Sequence, residues 1–311
     1  MNIGNTHAIG TSCEVQTMSV VAVQFAPVSA QNFDDVNTNV EQIIGYMERA
    51  TGGYPGYDLI LFQECTFQGY HAYKWTDVLL ELDGPEIGRI RKKCKELDVW
   101  AAVNPLLKNP DGSPTNTAIL INNKGEIVLT YDKMNPWIPG EPTHAGSYCK
   151  VVEGPKGSRL AMIICADGDY PEIWREAAVN GANVILRLSH YMSPCDAGWE
   201  ITNRSGAYSN NCYVVGANSV GTDEAYPYFG RSMAVDYDGR IIYEAPVGIP
   251  WMFKVEIFPQ LVDQIRRQGS TSNFMYSYNH RGGSCKDFGG VGAIDSEYSV
   301  YKNWSKGPKL P

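Results

Sequence analysis

The sequence predicts an α/β fold, a four-layer α-β-β-α sandwich built as a single domain with a C-terminal extension, and three observations carry that expectation. Short apolar runs of strand character alternate with amphipathic stretches of helical period. The same order of elements occurs twice along the chain. Two segments of the first half also have counterparts in the second: DLILFQE (Asp58 to Glu64) parallels NVILRLS (Asn183 to Ser189), and ILINNKGEI (Ile119 to Ile127) parallels MAVDYDGRI (Met233 to Ile241). Two α/β halves of this kind bury their apolar faces by turning their sheets towards each other and keeping their helices outside.

Taken in order, Ser19 to Ala26 (SVVAVQFA) reads as a buried strand. Val36, Val40, Ile43, Ile44 and Met47 then recur at helical spacing, with Asp34 and Asp35 suited to the positive end of a helix. A turn at Gly53 to Gly56 leads to a short buried strand, Leu59 to Phe62, which delivers Glu64 at its end. Ile87, Ile90, Cys94 and Leu97 mark a helix opening at Pro85. Val99 to Val103 is a strand, and Thr117 to Tyr131 is a hairpin turning at Asn123-Lys124-Gly125. In the second half Arg159 to Ile164 is a strand ending at Cys165, and Pro171 to Gly181 is a helix. Asn183 to Leu188 is a strand, Trp199 to Asn211 a helix, Tyr213 to Ala217 a strand, and Ser232 to Tyr243 a hairpin turning at Tyr237-Asp238-Gly239. A short helix follows Pro259, with Leu261 and Ile265 on one face, and then a tail rich in Gly, Ser and Tyr that cannot bury much by itself. The boundaries expected are a loose arm over residues 1–17, the body over 18–260, and an extension over 261–311 that packs on a partner subunit.

Bulk composition narrows the function classes. A 43% apolar share over 311 residues supports a sizeable core. The net charge of -8, with Lys and Arg scattered, argues against a nucleic-acid footprint, which needs a clustered basic face. No run of apolar residues is long enough for a transmembrane span. Met1 to Thr17 lacks the apolar core of a signal peptide, so a cytoplasmic location with reduced thiols is expected. None of the eight cysteines lies in a C-x-x-C pair, and no Cys/His cluster has zinc-ligand spacing, so no zinc site is expected, and the chemistry implied by the resemblance described below requires no metal or organic cofactor.

Three residues carry the chemistry. Cys165 sits where a buried strand meets the start of a helix, a junction that projects the turn residue outward and aims free backbone N–H groups towards it. The positive end of that helix favours a thiolate. Glu64 ends another buried strand, where a carboxylate is costly to desolvate without a partner or a task. Lys133 closes the first hairpin. Read alone, each also has a plainer meaning: an inert buried thiol, a solvated strand-end carboxylate, a surface lysine.

Their combination resembles the Glu–Lys–Cys triad of the nitrilase superfamily, and closer motifs are similar to its aliphatic amidase and formamidase branch. These are Gly-Tyr-Pro-Gly (53–56), Pro-Trp-x-Pro-x-Glu (136–141), Asp-Gly-Asp-Tyr-Pro-Glu-Ile-Trp-Arg (167–175), Thr-Asn-Arg-Ser (202–205), Tyr-Phe-Gly (228–230), Asp-Gly-Arg (238–240) and Asn-His-Arg-Gly (279–282). The resemblance implies a carbon–nitrogen hydrolase that cleaves a small aliphatic amide through a cysteine thioester. Glu64 is then the general base, Lys133 the cation beside the oxyanion and Cys165 the nucleophile, with the Ala166 N–H as a second oxyanion donor. Glu141 positions substrate, while Trp137 and Tyr191 wall the acyl pocket. It also implies a homo-oligomer, from dimer to hexamer, with a small amide and water as its only other partners. Two departures, Cys65 in place of an aromatic residue and Pro142-Thr-His-Ala-Gly146 in place of Trp-Tyr-Pro-Gly, point to a wider pocket. A nitrile or an N-carbamoyl amine is the alternative substrate, and a catalytically silent binding protein the alternative of another class.

Overall fold

A computed structural model of the chain describes residues 15–69, 75–137, 140–223 and 226–268. The tail, most of the N-terminal arm and the Asn279–Gly282 motif lie outside these residues. The first half runs β1 (Met18–Gln24), α1 (Phe33–Gly53), β2 (Leu59–Leu61), α2 (Pro85–Leu97), β3 (Trp100–Val103), β4 (Leu106–Lys108), β5 (Pro114–Ile121) and β6 (Ile127–Asp132). The second half runs β7 (Val152–Glu153), β8 (Arg159–Ile164), α3 (Pro171–Val179), β9 (Val184–Ser189), α4 (Asp196–Asn210), β10 (Tyr213–Asn218), β11 (Val220–Thr222), β12 (Pro227–Phe229), β13 (Met233–Val235), β14 (Ile241–Glu244), β15 (Trp251–Ile257) and α5 (Pro259–Gln268).

One sheet has the order β15-β1-β2-β3-β5-β4, with β6 paired to β5, and the other is β14-β13-β10-β9-β8-β7. Alternation along the strands divides the first sheet's side chains between two apolar layers. Val20, Ala22, Leu59, Leu61, Ala118 and Leu120 share the central layer with Leu160, Met162, Ile164 and Leu186 of the second sheet. Val21, Val23, Ile60, Phe62, Ile119 and Ile121 pack instead on Val36, Val40, Ile43 and Met47 of α1 and on Ile87, Ile90 and Cys94 of α2. On the far side, Trp174 of α3 and Trp199 of α4 are buried against the second sheet. The predicted four layers are therefore present.

Local chemistry starts the helices where the sequence placed them. Asn32 Oδ1 accepts the N–H groups of Asp34 and Asp35 at 2.9 and 3.1 Å, capping α1. Pro85 opens α2 and Pro171 opens α3, each at a position whose N–H has no partner in the helix. Helix α4 begins at Asp196, three residues before the expected start. The strand β15 was not anticipated. It runs antiparallel to β1 from Met18↔Ile257 to Gln24↔Trp251, so the end of the second half completes the first sheet. Val262 of α5 is fully buried, and Arg159 pairs with Asp263.

The strand pairs β1–β2, β2–β3, β8–β9 and β9–β10 are parallel. Glu64 and Cys165 emerge beyond the carboxyl ends of β2 and β8, the end at which open parallel sheets hold their ligands.

Candidate active site

Glu64 and Lys133, which are 69 residues apart in the chain, meet in the interior, and each side chain is 1% exposed. Lys133 Nζ donates to Glu64 Oε1 at 2.9 Å and to Glu141 Oε2 at 2.5 Å. Asn116, near the start of β5, bridges the two carboxylates: its Nδ2 donates to Glu64 Oε1 at 2.7 Å and to Glu141 Oε1 at 2.5 Å. Asn104 Nδ2 in turn donates to Asn116 Oδ1 at 2.9 Å, which fixes the amide's orientation. Glu64 Oε2 accepts the backbone N–H of His190 at 2.8 Å, and Glu141 Oε2 accepts that of Trp137 at 2.7 Å. Every carboxylate oxygen of the pair thus has a donor. Burial opposes the Lys133 charge, but Glu64, Glu141 and Cys165 together outweigh it and hold its pKa well above the ordinary lysine value. Backbone bonds secure the lysine on both sides, from Lys133 N–H to the Asn116 carbonyl at 2.9 Å and from Gly146 N–H to the Lys133 carbonyl at 2.8 Å.

Cys165 stands at the junction the sequence suggested. Its φ is 45°, in the left-handed region that a residue with a Cβ adopts only when its surroundings impose it. Two neighbours do so. Asp167 Oδ2 accepts Tyr131 OH at 2.7 Å and Ile164 N–H at 3.1 Å, while its Oδ1 accepts Asn135 N–H at 2.8 Å. Arg187, fully buried on β9, donates from Nη2 to the Cys165 carbonyl at 2.7 Å and from Nε at 3.2 Å. Its remaining Nη1 donates to Thr202 Oγ1 at 2.8 Å and Asn203 Oδ1 at 3.1 Å, and the guanidinium lies 4.7 Å from the Trp199 ring. Gly168 makes this approach possible: a Cβ there would sit 2.2 Å from Arg187 Cζ.

The helix start expected directly after Cys165 is a correction. Residues 165–169 form a 3₁₀ turn, and α3 begins only at Pro171, so the sulfur is not seated on the α-helix N-terminus. Burial, followed by the charge of Glu64, pushes the Cys165 thiol up to about 12, with Lys133, the Ser189 hydroxyl and Arg187 opposing more weakly. Ala166, the second residue of the 3₁₀ turn, has its N–H ahead of the first internal i→i+3 bond, as an oxyanion donor requires.

Glu64, Lys133, Glu141, Cys165 and Ala166 line one cavity of about 130 Å³, together with Trp137, Asp169, His190, Tyr191, Met192 and Cys195. All seven residues singled out from the sequence therefore converge on it. An apolar cavity of about 150 Å³ accommodates benzene, so the space suits a compound of a few non-hydrogen atoms. Room expected beside Cys65 is filled, because Cys65 packs with Leu79, Leu106 and Tyr228. Sequence reasoning missed Asn116, Arg187 and His190. An arginine inside the apolar run NVILRL was the visible signal for Arg187, and a polar residue opening the strand PTNTAILI for Asn116. His190 Nδ1 lies 2.7 Å from Ser219 Oγ, and burial pulls its pKa down to about 4, so the imidazole is neutral at pH 7.

The model of the carbon–nitrogen hydrolase family matches residues 19–267, and the chain belongs to that family. Among its relatives, the formamidase of Photorhabdus laumondii subsp. laumondii is 38% identical over 295 residues, covering 93% of this chain and 85% of the relative. The formamidase of Bacillus thuringiensis is 37% identical over the same length, covering 93% and 88%. Solved structures agree in fold. Nit3 of Saccharomyces cerevisiae, a member of branch 10 of the nitrilase superfamily, superposes with a TM-score of 0.75 at 20% identity over 85% of this chain and 98% of its own. A mutant amidase from Nesterenkonia sp. AN1, carrying the acetamide moiety of fluoroacetamide on its active-site cysteine, gives a TM-score of 0.74 at 20% identity over 95% and 99%.

Proposed function

We propose that the chain hydrolyses a small aliphatic amide to a carboxylate and ammonia, with Glu64, Lys133 and Cys165 as catalytic residues. The observation that carries this reading is the buried Lys133 ammonium, held by Glu64 and Glu141 at 2.9 and 2.5 Å in the same small cavity that Cys165 lines. The formamidase relatives support the amide class.

Burial and the Glu64 charge hold the Cys165 thiol protonated at neutral pH, so the attack needs a base. Glu64 takes the thiol proton as Sγ bonds to the amide carbon, and the carbonyl electron pair moves to oxygen. Lys133 and the Ala166 N–H receive that oxyanion, each such donor contributing about 100- to 1,000-fold in rate. The tetrahedral centre collapses with cleavage of C–N, and Glu64 gives its proton to the departing nitrogen, which leaves as ammonia. Glu64 then takes a proton from water as the water attacks the thioester, and on C–S cleavage it returns that proton to the leaving sulfur, which restores the thiol and the Glu64 carboxylate. Glu141 positions Lys133 and the substrate, between the walls made by Trp137 and Tyr191. We also propose a cytoplasmic homo-oligomer. Exposed Ile201 and Tyr208, two turns apart on α4, support an assembly surface, and sedimentation velocity tests it.

The deciding experiment is an ammonia-release screen over formamide, acetamide, propionamide, longer amides, carbamoyl compounds and nitriles. Short amides release ammonia without carbon dioxide, and Cys165→Ala abolishes the release. Carbon dioxide release from a carbamoyl compound, or turnover of a nitrile but no amide, establishes the alternative substrates. A wild-type protein that turns over nothing is a binding protein.

A further inference from the structure

Strand β9 ends at Ser189, with β8 on one side of it and β10 on the other. The parallel register pairs Leu188 with Ile164 of β8, so the next step along both strands sets Ser189 level with Cys165. On the other side Ser189 is level with Asn218 of β10. The Ser189 carbonyl accepts the N–H groups of Glu64 at 3.4 Å and of Ser219 at 3.2 Å. The residue is therefore tied to the base and stands in register beside the nucleophile. Ser189 is fully buried, yet its Oγ has no hydrogen-bond partner among the described residues. A buried hydroxyl left without a partner is costly, and such a group in a folded chain calls for a task. The substrate does not supply the partner, because Ser189 is not among the residues that line the cavity.

The sulfur of Cys165 is the acceptor at hand. The Ser189 hydroxyl pulls the Cys165 thiol down, against burial, through a hydrogen bond to the sulfur. That bond belongs to the charged sulfur, since a neutral thiol is a weak acceptor and a thiolate a strong one. A donor that is idle at rest thus gains its partner when Sγ gives its proton to Glu64, and again when C–S cleavage returns an electron pair to the sulfur. An interaction made only while charge develops speeds the reaction without tightening substrate binding. We infer that Ser189 is a further catalytic residue, whose hydroxyl donates to Cys165 Sγ as the sulfur gains charge in its attack on the amide and in its departure from the thioester. This inference rests on the cysteine-thioester reading and deepens it.

In Ser189→Ala, kcat for the best short amide falls about 10- to 100-fold with KM little changed, the loss expected of one hydrogen bond to a charged atom. Ser189→Thr keeps the hydroxyl and restores most of the rate. Labelling by methyl methanethiosulfonate at pH 8 needs no amide and separates a donor from a packing role. Without the donor the thiol is about 10- to 100-fold less ionised, and the more basic sulfur recovers part of that, so Cys165 labelling slows about three- to tenfold in Ser189→Ala and recovers in Ser189→Thr. A serine that only fills space gives the opposite result, because the smaller alanine opens the path to the sulfur. Labelling that is unchanged or faster in Ser189→Ala, or a loss of rate and labelling that Ser189→Thr does not restore, overturns the inference. Should neither variant fold, a crystal structure of the wild-type chain decides: Oγ within hydrogen-bond range of Sγ upholds the inference, and Oγ bonded to any other group overturns it. A wild type that turns over no amide, with labelling still slowed in Ser189→Ala, removes the amidase reading and leaves the hydroxyl–sulfur contact standing.

Discussion

Substituting Glu64 by Gln should move two properties of Cys165 in opposite directions. Burial is the first reason its thiol is pushed from 9.0 to about 12, and the Glu64 charge is the second. Three pKa units leave about 1,000-fold less thiolate than an ordinary cysteine has at pH 7. A less acidic thiol is a better nucleophile once ionised, by about 20-fold at a Brønsted slope of 0.4–0.5, so the net deficit is about 50-fold. The assay is labelling by methyl methanethiosulfonate, small and uncharged, followed by mass spectrometry of the Cys165 peptide across pH 7 to 10. Wild-type labelling rises about tenfold per pH unit with no plateau, whereas a free thiol levels off above about 8.5. That shape is independent of how hard the sulfur is to reach. In Glu64→Gln the raising charge is gone, so labelling quickens at pH 7 even as amide turnover falls about 100- to 10,000-fold with loss of the base. A flat wild-type profile, or a variant in which labelling and turnover fall together, refutes the reasoning.

Lys133→Met leaves Glu64 and Glu141 buried around Asn116 without their cation, so it costs about 3–5 kcal/mol in urea unfolding and abolishes ammonia release. Gly168→Ala drives a methyl into the Arg187 guanidinium, and about 1–3 kcal/mol of lost stability accompanies a lower kcat as the Cys165 carbonyl loses its anchor. Cys94, between α2 and the first sheet, tests the alkaline limb of stability. Burial raises its thiol to about 12, against about 8.5 unfolded. Above the unfolded value the native state binds the extra proton, so the stability this thiol contributes in full at neutral pH drains away as pH rises towards the folded value. Denaturant unfolding between pH 9 and 11 is therefore shallower in Cys94→Ala by about 1.4 kcal/mol per pH unit, beneath a constant loss from the cavity.

What could be read from the chain follows from how far each signal reaches. The apolar periods of β1 and β8 are properties of contiguous residues, and they placed those strands within about two residues of their ends, while the period of α1 marked its start but was followed only to Met47 of a helix that runs to Gly53. Trp251, Phe253, Val255 and Ile257 alternate just as clearly, but their partner is β1, more than two hundred residues back, so the strand carried no hint of its place. The two-residue β7 is too short to leave a period. At the site, Glu64, Lys133 and Cys165 each close a recognisable element, but only their combination, through its resemblance to a known triad, made their roles legible. Asn116 and Arg187 act through side chains crossing between elements, which local pattern does not encode. The helix start after Cys165 was misplaced for a related reason: a 3₁₀ turn and the first turn of an α-helix look alike in sequence, and α3 begins only at Pro171.

The network of one ammonium and two carboxylates has a consequence for the proposed attack. At rest Glu64, Lys133 and Glu141 sum to one negative charge, with a neutral thiol and a neutral amide beside them. When Glu64 takes the thiol proton and the carbonyl oxygen becomes an anion, the sum is unchanged: the charge has moved from one side of Lys133 to the other. A buried site therefore accommodates the tetrahedral intermediate without taking new net charge out of water, the step that is costly at low dielectric. Glu141 is what makes this work. Once Glu64 is neutral, the 2.5 Å bond from Lys133 Nζ to Glu141 Oε2 is the ammonium's remaining ionic anchor, and it leaves the Glu64-facing side of the nitrogen free to follow the charge.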